Sequence, residues 1–248
     1  MTTAPGGVLA IVPARGGSKG VPGKNLRPLA GRTLLDYVAT AARDSGRIDK
    51  IVLSTDSEEI AEAGRRAGLD VPFIRPAALA RDDTPMLPVL RHVLEEVERG
   101  GWTPDYVVLL QPTSPLRRPL HIQNAVSTLI ETGADSVVTV IELPKHLSPD
   151  YVMRIEDGHL RPFLPEGERI TRRQDVRPAY SRDGTVYAFR RDTIDRFGSI
   201  YGDHCRPLVI DARDSLSIDT PEDWAAAERV LETRARRGGS VDPPGVRE

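Results

Sequence analysis

Glycines and basic residues alternate in a loop that directly follows an apolar run near the N-terminus. Residues 8–12 are continuously apolar, as in a strand that is buried on both faces, and Pro13 ends the run. In the loop, the glycines let the backbone approach a ligand closely, and three cationic side chains can donate hydrogen bonds to an anion. These residues are Gly16, Gly17, Gly20 and Gly23, with Arg15, Lys19 and Lys24. A polyphosphate would satisfy the three charges, and the alternative is a flexible basic surface loop.

Three further polar groups come directly after predicted strands, at residues 54–56, 111–114 and 217–219. The amide and hydroxyls of the second group could bind a base, a ribose or a carboxylate, although the prolines beside them are equally typical of a plain turn. Asp219 could ligate a Mg²⁺ ion that bridges phosphates, because this ion binds one or two carboxylates and keeps several waters. Helix capping is the alternative for Asp219, and Asp56 poses the same choice between a metal or ribose contact and a cap.

The elements that position these groups can be read from the apolar pattern. Apolar runs alternate with segments of helical periodicity, which favours a doubly wound, mostly parallel α/β sheet with helices on both faces. The predicted strands are 8–12, 51–56, 71–74, 106–110, 136–141, 185–189 and 207–210. A sheet of this type binds its ligand beyond the carboxyl ends of its strands, where the polar groups lie.

A single domain is predicted over residues 6–233, interrupted by an irregular segment and followed by a tail. Between residues 144 and 182, prolines and charges replace the regular pattern, so we predict an inserted arm. An arginine of this arm could hold a carboxylate in a bidentate pair, although charge runs more often mark a solvated face. Residues 234–248 are rich in Arg, Gly and Pro and lack apolar periodicity, which predicts a disordered tail.

Composition argues against several classes of function. A formal charge of -2 over 248 residues gives no general attraction to nucleic acid or to anionic membranes. No apolar run approaches the roughly 20 residues that span a bilayer, and residues 1–7 lack the pattern of a signal peptide, so a cytoplasmic protein is expected. The single cysteine, Cys205, has no partner for an intrachain disulfide, and the histidines show no zinc-ligand spacing.

In their order and separation, the motifs resemble those of the acylneuraminate cytidylyltransferases, also called CMP-sialic acid synthetases, over about residues 8–232. The resemblance is carried by Ala14-Arg-Gly-Gly-Ser-Lys-Gly20, Lys24-Asn25, Ser54-Thr-Asp56, Arg75-Pro76, Leu110-Gln-Pro-Thr-Ser-Pro-Leu-Arg117 and Ser217-Ile-Asp219. It implies a nucleotidyltransferase fold like that of the glycosyltransferase-A group. It also implies an enzyme that joins CMP from CTP to the anomeric hydroxyl of an acidic sugar, a nonulosonic (sialic-like) acid, and releases pyrophosphate with the help of Mg²⁺.

The residue pattern and the resemblance together assign roles to individual residues. Arg15 and Lys19 would hold the triphosphate, and with Asp219 on the metal they would carry catalysis. The implied CTP site comprises Ala14, Arg15, Gly16, Gly17, Ser18, Lys19, Lys24, Asn25, Asp56 and Arg75. The implied acceptor site comprises Gln111, Thr113, Ser114, Arg173, Gln174 and Tyr180. Members of this family are typically homodimers whose arms reach into the partner's site, and Arg173-Gln174 matches an Arg-Gln pair of that arm.

Three departures from the family's pattern lie on the metal and acceptor side. Ser217 stands where the family commonly has a second aspartate, so Asp219 would have to bind the metal together with waters and phosphates. Asp183 stands where the family has asparagine, and its charge would repel an acidic acceptor unless a cation such as Arg182 pairs with it. Residues 146–149 match a His-Pro feature of the arm only loosely. Two alternatives therefore stay open: another small acid such as a phosphonate as the acceptor, and a non-catalytic nucleotide-binding protein.

Overall fold

Strands and helices alternate along the chain, as the apolar pattern predicts. The computed structural model describes residues 7–17, 19–165, 167 and 172–236. The strands are β1 (Val8–Pro13), β2 (Lys50–Ser54), β3 (Tyr106–Leu109), β4 (Ser136–Glu142), β5 (Met153–Glu156), β6 (His159–Pro162), β7 (Tyr180–Arg190) and β8 (Cys205–Val209). The helices are α1 (Leu34–Asp44), α2 (Glu58–Ala67), α3 (Met86–Arg99), α4 (Pro119–Thr132), α5 (Thr193–Phe197) and α6 (Pro221–Arg236).

A six-stranded mixed sheet with the order β2-β1-β3-β7-β4-β8 forms the centre of the domain. Strand β1 pairs in parallel with β2 and β3, and β4 pairs in parallel with β8. Strand β7 is antiparallel to both of its neighbours, β3 and β4. It enters the sheet from the arm rather than through the crossover helix that usually joins parallel strands. The predicted fold class, a doubly wound and mostly parallel sheet, is confirmed, with one reversed strand inside it.

Alternate side chains of β1 enter two separate layers of the core. Val8, Ala10 and Val12 pack with α1, α2 and α4, whereas Leu9 and Ile11 pack with α3. All five side chains are at most 5% exposed, which explains why the sequence of this strand is apolar without interruption. The strand that leads into the glycine-rich loop is therefore held on both faces, and the core determines where the loop begins.

Residues 71–74 do not form the strand that the sequence predicts. The chain makes only an isolated bridge to β2, between Val52 and Asp70, before Pro72 removes a backbone donor. Three residues later, the Arg75 N–H donates to the Thr55 carbonyl at 2.7 Å. The segment therefore runs past the end of β2 toward the site instead of extending the sheet.

The last helix continues further than the sequence predicts. Helix α6 ends at Arg236, three residues into the predicted tail. The Arg234 guanidinium explains the extension, because it donates to the Asp214 carboxylate at 2.6 Å and to the Leu116 carbonyl at 3.3 Å. The remainder of the predicted tail, residues 237–248, lies outside the described residues, as does residue 6 at the predicted start of the domain.

The predicted arm, residues 144–182, contains a β-hairpin of its own, β5–β6. The two strands are joined by Asp157 and Gly158, which both have positive φ, as the two-residue hairpin turn requires. Its apolar side chains face solvent within one chain: Ile155 is 78% exposed and Leu160 is 67% exposed. Among the helices that the structure describes, none is long and apolar enough to cross a bilayer.

Candidate nucleotide site

A cavity of about 370 Å³ opens beyond the carboxyl ends of β1 and β3. The polar and charged groups that line it come from four separate parts of the chain: Arg15, Lys19, Lys24 and Asn25; Arg75, Arg81, Asp82 and Thr84; Gln111 and Thr113; and Asp219. Ala14, from the predicted CTP site, also lines it. The structure therefore brings together much of the predicted CTP site, two of the predicted acceptor residues and the predicted metal ligand, although Ala14 and Asp219 are 205 positions apart in sequence.

The glycine-rich loop is anchored to the strands around it by hydrogen bonds. The Gly16 N–H donates to Asp56 Oδ1 at 2.9 Å, and Asn25 Nδ2 donates to the Arg15 carbonyl at 3.2 Å. Gly20 lies against the backbone of Asp219, two residues before α6, since a Cβ at position 20 would come within 1.9 Å of the Asp219 carbonyl oxygen. The close approach that the sequence predicts for this glycine is therefore made to the protein's own backbone. Gly17 is exposed, and Ser18 lies outside the described residues.

Two predicted phosphate-binding cations, Arg15 and Lys19, both contact the carboxylate of Asp82. The third cation, Lys24, is more enclosed: its Nζ donates to the Ile218 carbonyl at 2.8 Å and lies 3.9 Å from Asp219 Oδ1. Burial lowers the pKa of Lys24, and the neighbouring Asp219 carboxylate opposes that shift. Three cationic side chains therefore converge on one end of the cavity, in a protein whose net charge is slightly negative.

The Asp219 carboxylate is not used as a helix cap. The start of α6 is capped reciprocally by Thr220 and Asp223: the Thr220 N–H donates to Asp223 Oδ2 at 2.8 Å, and the Asp223 N–H donates to Thr220 Oγ1 at 3.2 Å. Asp219 instead has a side chain that is 71% exposed, and its Oδ2 accepts a hydrogen bond from Ser217 Oγ at 3.0 Å. The hydroxyl that replaces the expected second aspartate therefore orients the remaining carboxylate.

Asp56 is not a helix cap either, because Ser57 caps α2 by accepting from the Ile60 N–H at 3.4 Å. Asp56 lies outside the residues that line the cavity, and its Oδ1 holds the Gly16 N–H. This geometry favours an indirect role, in which Asp56 shapes the glycine-rich loop. The direct contact to CTP that the sequence suggests for Asp56 stays a prediction.

Arg75 is 5% exposed and has a guanidinium committed largely to the protein. Its Nε donates to Ser54 Oγ at 3.0 Å, its Nη2 contacts the Ser54 carbonyl, and its Nη1 donates to the Leu79 carbonyl at 3.4 Å. Burial lowers the pKa of this guanidinium, and the Asp56 carboxylate opposes the shift. Arg75 thus joins the end of β2 to the segment that forms one wall of the cavity, and part of its surface faces the cavity itself.

The second loop, residues 111–117, is held by a buried arginine that the sequence analysis did not assign to the site. Arg117 Nη2 donates to the Gln111 carbonyl at 2.6 Å, and Arg117 Nε donates to the Thr185 carbonyl at 2.6 Å. Burial lowers the pKa of Arg117 to about 9, and Asp183 is the anion that opposes the shift. Ser114 is also buried and donates to the Gly184 carbonyl at 3.4 Å, so it fixes the loop, whereas Gln111 and Thr113 face the cavity.

A bulge in β7 explains how this strand reaches the second loop. Val138 of β4 pairs with Tyr187, but Val140 pairs with Arg182, so the residues between them leave the ladder. Thr139 Oγ1 compensates by accepting from the Val186 N–H at 2.8 Å and donating to the Val186 carbonyl at 3.1 Å. The bulge turns the carbonyls of residues 184 and 185 toward the second loop.

The suggested pairing of Asp183 with Arg182 does not occur. The Arg182 guanidinium contacts the Tyr201 hydroxyl and lies 5.2 Å from the centroid of that ring. The Asp183 carboxylate accepts hydrogen bonds from Thr185, and its charge acts on the buried Arg117. The hydrogen-bond partner of Asp183 is therefore Thr185, two residues along β7, and not the adjacent Arg182.

Several cavity residues were missed because their types are common on any surface. Asp82 and Thr84 belong to the turn before α3, and Leu79, Met86 and Val89 form an apolar wall. The available signal was the position of this segment, directly after Arg75-Pro76 and before a predicted helix. The sequence alone did not distinguish an acid that points into a site from one that points into solvent.

Two arm residues of the predicted acceptor site, Gln174 and Tyr180, do not line this cavity, and the side chain of Arg173 lies outside the described part of the structure. Gln174 and Tyr180 are exposed, Tyr180 by 51%, and the backbone of Arg173–Asp175 forms a short 3-10 turn. In the part of the chain that the structure describes, no cluster of three or more His, Cys, Asp or Glu side chains is arranged to hold a metal ion. The only metal-binding residue predicted, Asp219, is accompanied by a hydroxyl instead of a second carboxylate.

Comparison with known proteins agrees with this geometry. The sequence model described as cytidylyltransferase matches residues 9–237. The chain is similar to the CMP-N,N'-diacetyllegionaminic acid synthase of Legionella pneumophila, with 37% identity over 91% of this chain and 96% of that protein. It is also similar to the N-acylneuraminate cytidylyltransferase of Streptococcus agalactiae, with 32% identity over 87% of this chain and 51% of that longer protein.

A similar fold occurs in a solved structure of a CMP:2-keto-3-deoxy-manno-octonic acid synthetase complexed with CTP. The TM-score is 0.70, and the match covers 92% of this chain and 99% of that one at 17% identity. At this identity the comparison supports the fold alone, and it agrees with the predicted nucleotidyltransferase fold. From the sequence match over nearly its whole length and from the relative at 37% identity, the chain belongs to the cytidylyltransferase family, a family of nucleotidyltransferases.

Proposed function

We propose that this protein is a CTP-dependent cytidylyltransferase that activates a nonulosonic, sialic-like acid as its CMP conjugate and releases pyrophosphate. The observation that carries the proposal is the convergence of Arg15, Lys19 and Lys24 with Gln111 and Thr113 in one cavity at the carboxyl ends of the strands. The two relatives described above support it, because their names assign them legionaminic and neuraminic acids as acceptors.

The cavity combines cationic side chains with an apolar wall, which suit the two parts of a nucleoside triphosphate. Leu79, Met86 and Val89 can cover the face of a base or ribose, while Asn25 and Gln111 supply amides that can bind their polar edges. Among the cations of the glycine-rich loop, Lys24 lies beside Asp219, and Arg15 and Lys19 line the same cavity, where the triphosphate would extend. CTP would therefore bind along the edge of the sheet, with its phosphates between the loop and the start of α6.

The chemistry requires one substitution at phosphorus. The oxygen of the acceptor's anomeric hydroxyl forms a bond to the α-phosphorus of CTP, the bond from that phosphorus to the bridging α–β oxygen breaks, and the hydroxyl proton passes to solvent water. Pyrophosphate leaves with the electron pair of the broken bond. Arg15 and Lys19 are placed to stabilise the negative charge that develops on the phosphates, and alignment of the two substrates supplies much of the remaining rate enhancement. A covalent enzyme intermediate is not needed.

The donor set at Asp219 fits a magnesium ion brought in with the nucleotide. One exposed carboxylate with a neighbouring hydroxyl offers hard oxygen ligands, and Mg²⁺ typically takes one or two carboxylates together with substrate phosphates and waters. We propose that Asp219 holds this ion and that Ser217 keeps the carboxylate oriented. When bound, the ion would neutralise charge on the phosphates and on the leaving pyrophosphate.

The position of Asp183 weakens one reason for expecting a phosphonate as the acceptor. That alternative was motivated by an added negative charge on the acceptor side. In the structure the charge acts on the buried Arg117, and Asp183 lies outside the residues that line the cavity. The departure at this position therefore gives little reason to expect an unusual acceptor.

We further propose that the protein acts as a homodimer in the cytoplasm, where CTP is available. Two predicted acceptor residues of the arm, Gln174 and Tyr180, lie outside the residues that line the cavity of their own chain. The arm also carries exposed apolar side chains, including Ile155 and Leu160, that a second copy could cover. Both observations are accounted for if each arm completes the acceptor site of its partner.

The experiment is a measurement of pyrophosphate release from CTP and Mg²⁺ with a panel of acids: nonulosonic acids, an octulosonic acid and phosphonates. We expect turnover with at least one nonulosonic acid and none with GTP in place of CTP. Faster turnover of a phosphonate than of every sugar acid would reassign the acceptor. CTP binding without any turnover would favour the non-catalytic alternative.

The proposed dimer is tested by light scattering on the unaltered protein and on the Ile155→Asp/Leu160→Asp variant. We expect the unaltered protein to be a dimer and the variant to be a monomer.

A further inference from the structure

An acidic side chain, Asp82, lies among the cations of the proposed phosphate site. It lines the cavity, and its two carboxylate oxygens contact Arg15 and Lys19 respectively. These are the two residues that the proposed function assigns to the triphosphate. Hydrogen bonds from Lys19 and Arg15 hold the pKa of Asp82 below its usual range, so the carboxylate is anionic at neutral pH.

The turn that carries Asp82 is held in place by the protein. The Thr84 N–H donates to the Arg81 carbonyl at 3.2 Å, and Thr84 Oγ1 donates to the Ala78 carbonyl at 3.4 Å. Asp82 and Asp83 are the two central residues of this turn. Asp82 faces the cavity, whereas Asp83 lies outside the residues that line it. The turn thus presents one of two adjacent carboxylates to the cations.

We propose that Asp82 is a positioning residue of the nucleotide site, which takes the place of a phosphate before CTP binds and is displaced by the triphosphate. The proposal rests on the proposed function, because it takes Arg15 and Lys19 as the ligands of the phosphates. While the site is empty, the carboxylate occupies the two cations that the phosphates would otherwise contact. Once CTP binds, the phosphates replace the carboxylate on the same two side chains.

This exchange has a direct consequence for affinity. Any ligand that uses Arg15 and Lys19 must first break their contacts with Asp82, so it binds more weakly than it would to the cations alone. The penalty is the same for CTP and for pyrophosphate, and a ligand that carries no phosphate does not incur it. After the reaction, return of the carboxylate to Arg15 and Lys19 favours the release of pyrophosphate.

The penalty is expected to be modest and sensitive to salt. The Lys19 side chain is 81% exposed and that of Asp82 is 43% exposed, and ion pairs in such positions are weak and screened. For two exposed contacts, we expect a change in Kd of about three- to tenfold at low ionic strength. The change should become smaller as salt is added.

The test is calorimetric titration of CTP, pyrophosphate and cytidine into the full chain and its Asp82→Asn variant, with Asp83→Asn as the matched control. We expect Asp82→Asn to lower the Kd of CTP and of pyrophosphate by the same factor and to leave that of cytidine unchanged. The control should leave all three values unchanged. In a Lys19→Ala background, the gain from Asp82→Asn should shrink, because one of its two partners is gone.

The outcomes separate the two proposals. If CTP does not bind the unaltered protein, the proposed function fails, and the role of Asp82 fails with it. If CTP binds the unaltered protein but Asp82→Asn leaves its Kd unchanged or raises it, the positioning role is wrong and the proposed function stands. An equal effect of Asp83→Asn on the Kd of CTP would also overturn the proposal. It would show that the change in Kd arises from the net charge of the turn and not from the contacts of Asp82 with Arg15 and Lys19.

Discussion

Substituting Gly20 by alanine should displace the phosphate loop from the start of α6. A Cβ at this position would lie 1.9 Å from the Asp219 carbonyl oxygen, whereas ordinary contact begins at 3.4 Å, so the two backbones must separate by about 1.5 Å. The atom it meets belongs to the backbone and cannot rotate away. The neighbouring loop carries Lys19, and Asp219 is the proposed metal ligand, so this separation changes the geometry between them.

A misplacement of about 1 Å in a reacting constellation can cost roughly 100-fold in rate, so we expect kcat/KM for CTP to fall by about that factor. Pyrophosphate release measures it, and thermal denaturation should show that the variant still folds. Gly17→Ala is the comparison, because a Cβ there meets nothing within 4 Å and the residue does not have positive φ. The loss for Gly17→Ala should be under about tenfold. A Gly20→Ala enzyme within threefold of the unaltered protein would refute the reasoning.

Three further predictions test other parts of the site and its support. Lys19→Ala should lower kcat/KM at least about tenfold through the loss of a charged phosphate contact, and an unchanged value in the pyrophosphate assay would remove Lys19 from the site. Arg117→Met should lower the free energy of unfolding by about 3 kcal/mol, because it leaves the carbonyls of Gln111 and Thr185 without their buried donor. Urea denaturation measures the free energy of unfolding, and a loss below about 1 kcal/mol would show that the two hydrogen bonds from Arg117 contribute little to stability. Asp214 has a pKa below its ordinary value: burial alone would raise it, but His121 and neighbouring arginines outweigh burial. The ionised Asp214 carboxylate therefore stabilises the folded protein at pH values above the pKa of Asp214 in the unfolded chain, which is near 4. This stabilisation is lost as the pH falls through the lower pKa of Asp214 in the folded protein. Thermal denaturation from pH 7 to pH 3 should show a steeper loss of Tm for the unaltered protein than for Asp214→Asn, and parallel curves would contradict this.

Much of the candidate site could be predicted from the sequence, because its parts lie at the ends of strands. The apolar runs before Ala14 and before Gln111 identify two neighbouring strands, and the carboxyl ends of parallel strands meet at one edge of a sheet. The rule holds for β1 and β3 without knowledge of any long-range contact. The expectation that residues 217–219 directly follow a strand is wrong, because β8 ends at Val209. The resemblance to known sequences, more than the residue pattern, pointed to Asp219.

The roles of individual carboxylates could not be predicted in this way. Asp56, Asp82, Asp183 and Asp219 are each preceded or followed by residues that suit a turn, a cap or a ligand. In the structure Asp56 accepts a hydrogen bond from the Gly16 N–H, and Asp82 contacts two cations. The charge of Asp183 opposes the lowering of the pKa of the buried Arg117, and Asp219 is exposed at the cavity. These differences arise from partners far away in the chain and from burial, and neither is encoded in the local pattern.

The sequence by itself determined most of the elements, the mostly parallel sheet and the composition of the phosphate loop, because periodicity and glycine content act over a few residues. Only the tertiary structure decided that β7 enters the sheet in reverse, that its bulge meets Arg117, and that Asp82 lies on the phosphate-binding cations. Each of these is a contact between segments distant in sequence. Such contacts depend on how the helices and strands pack around β1. This packing decides which charged side chains, such as Asp82 and Lys19, come into contact.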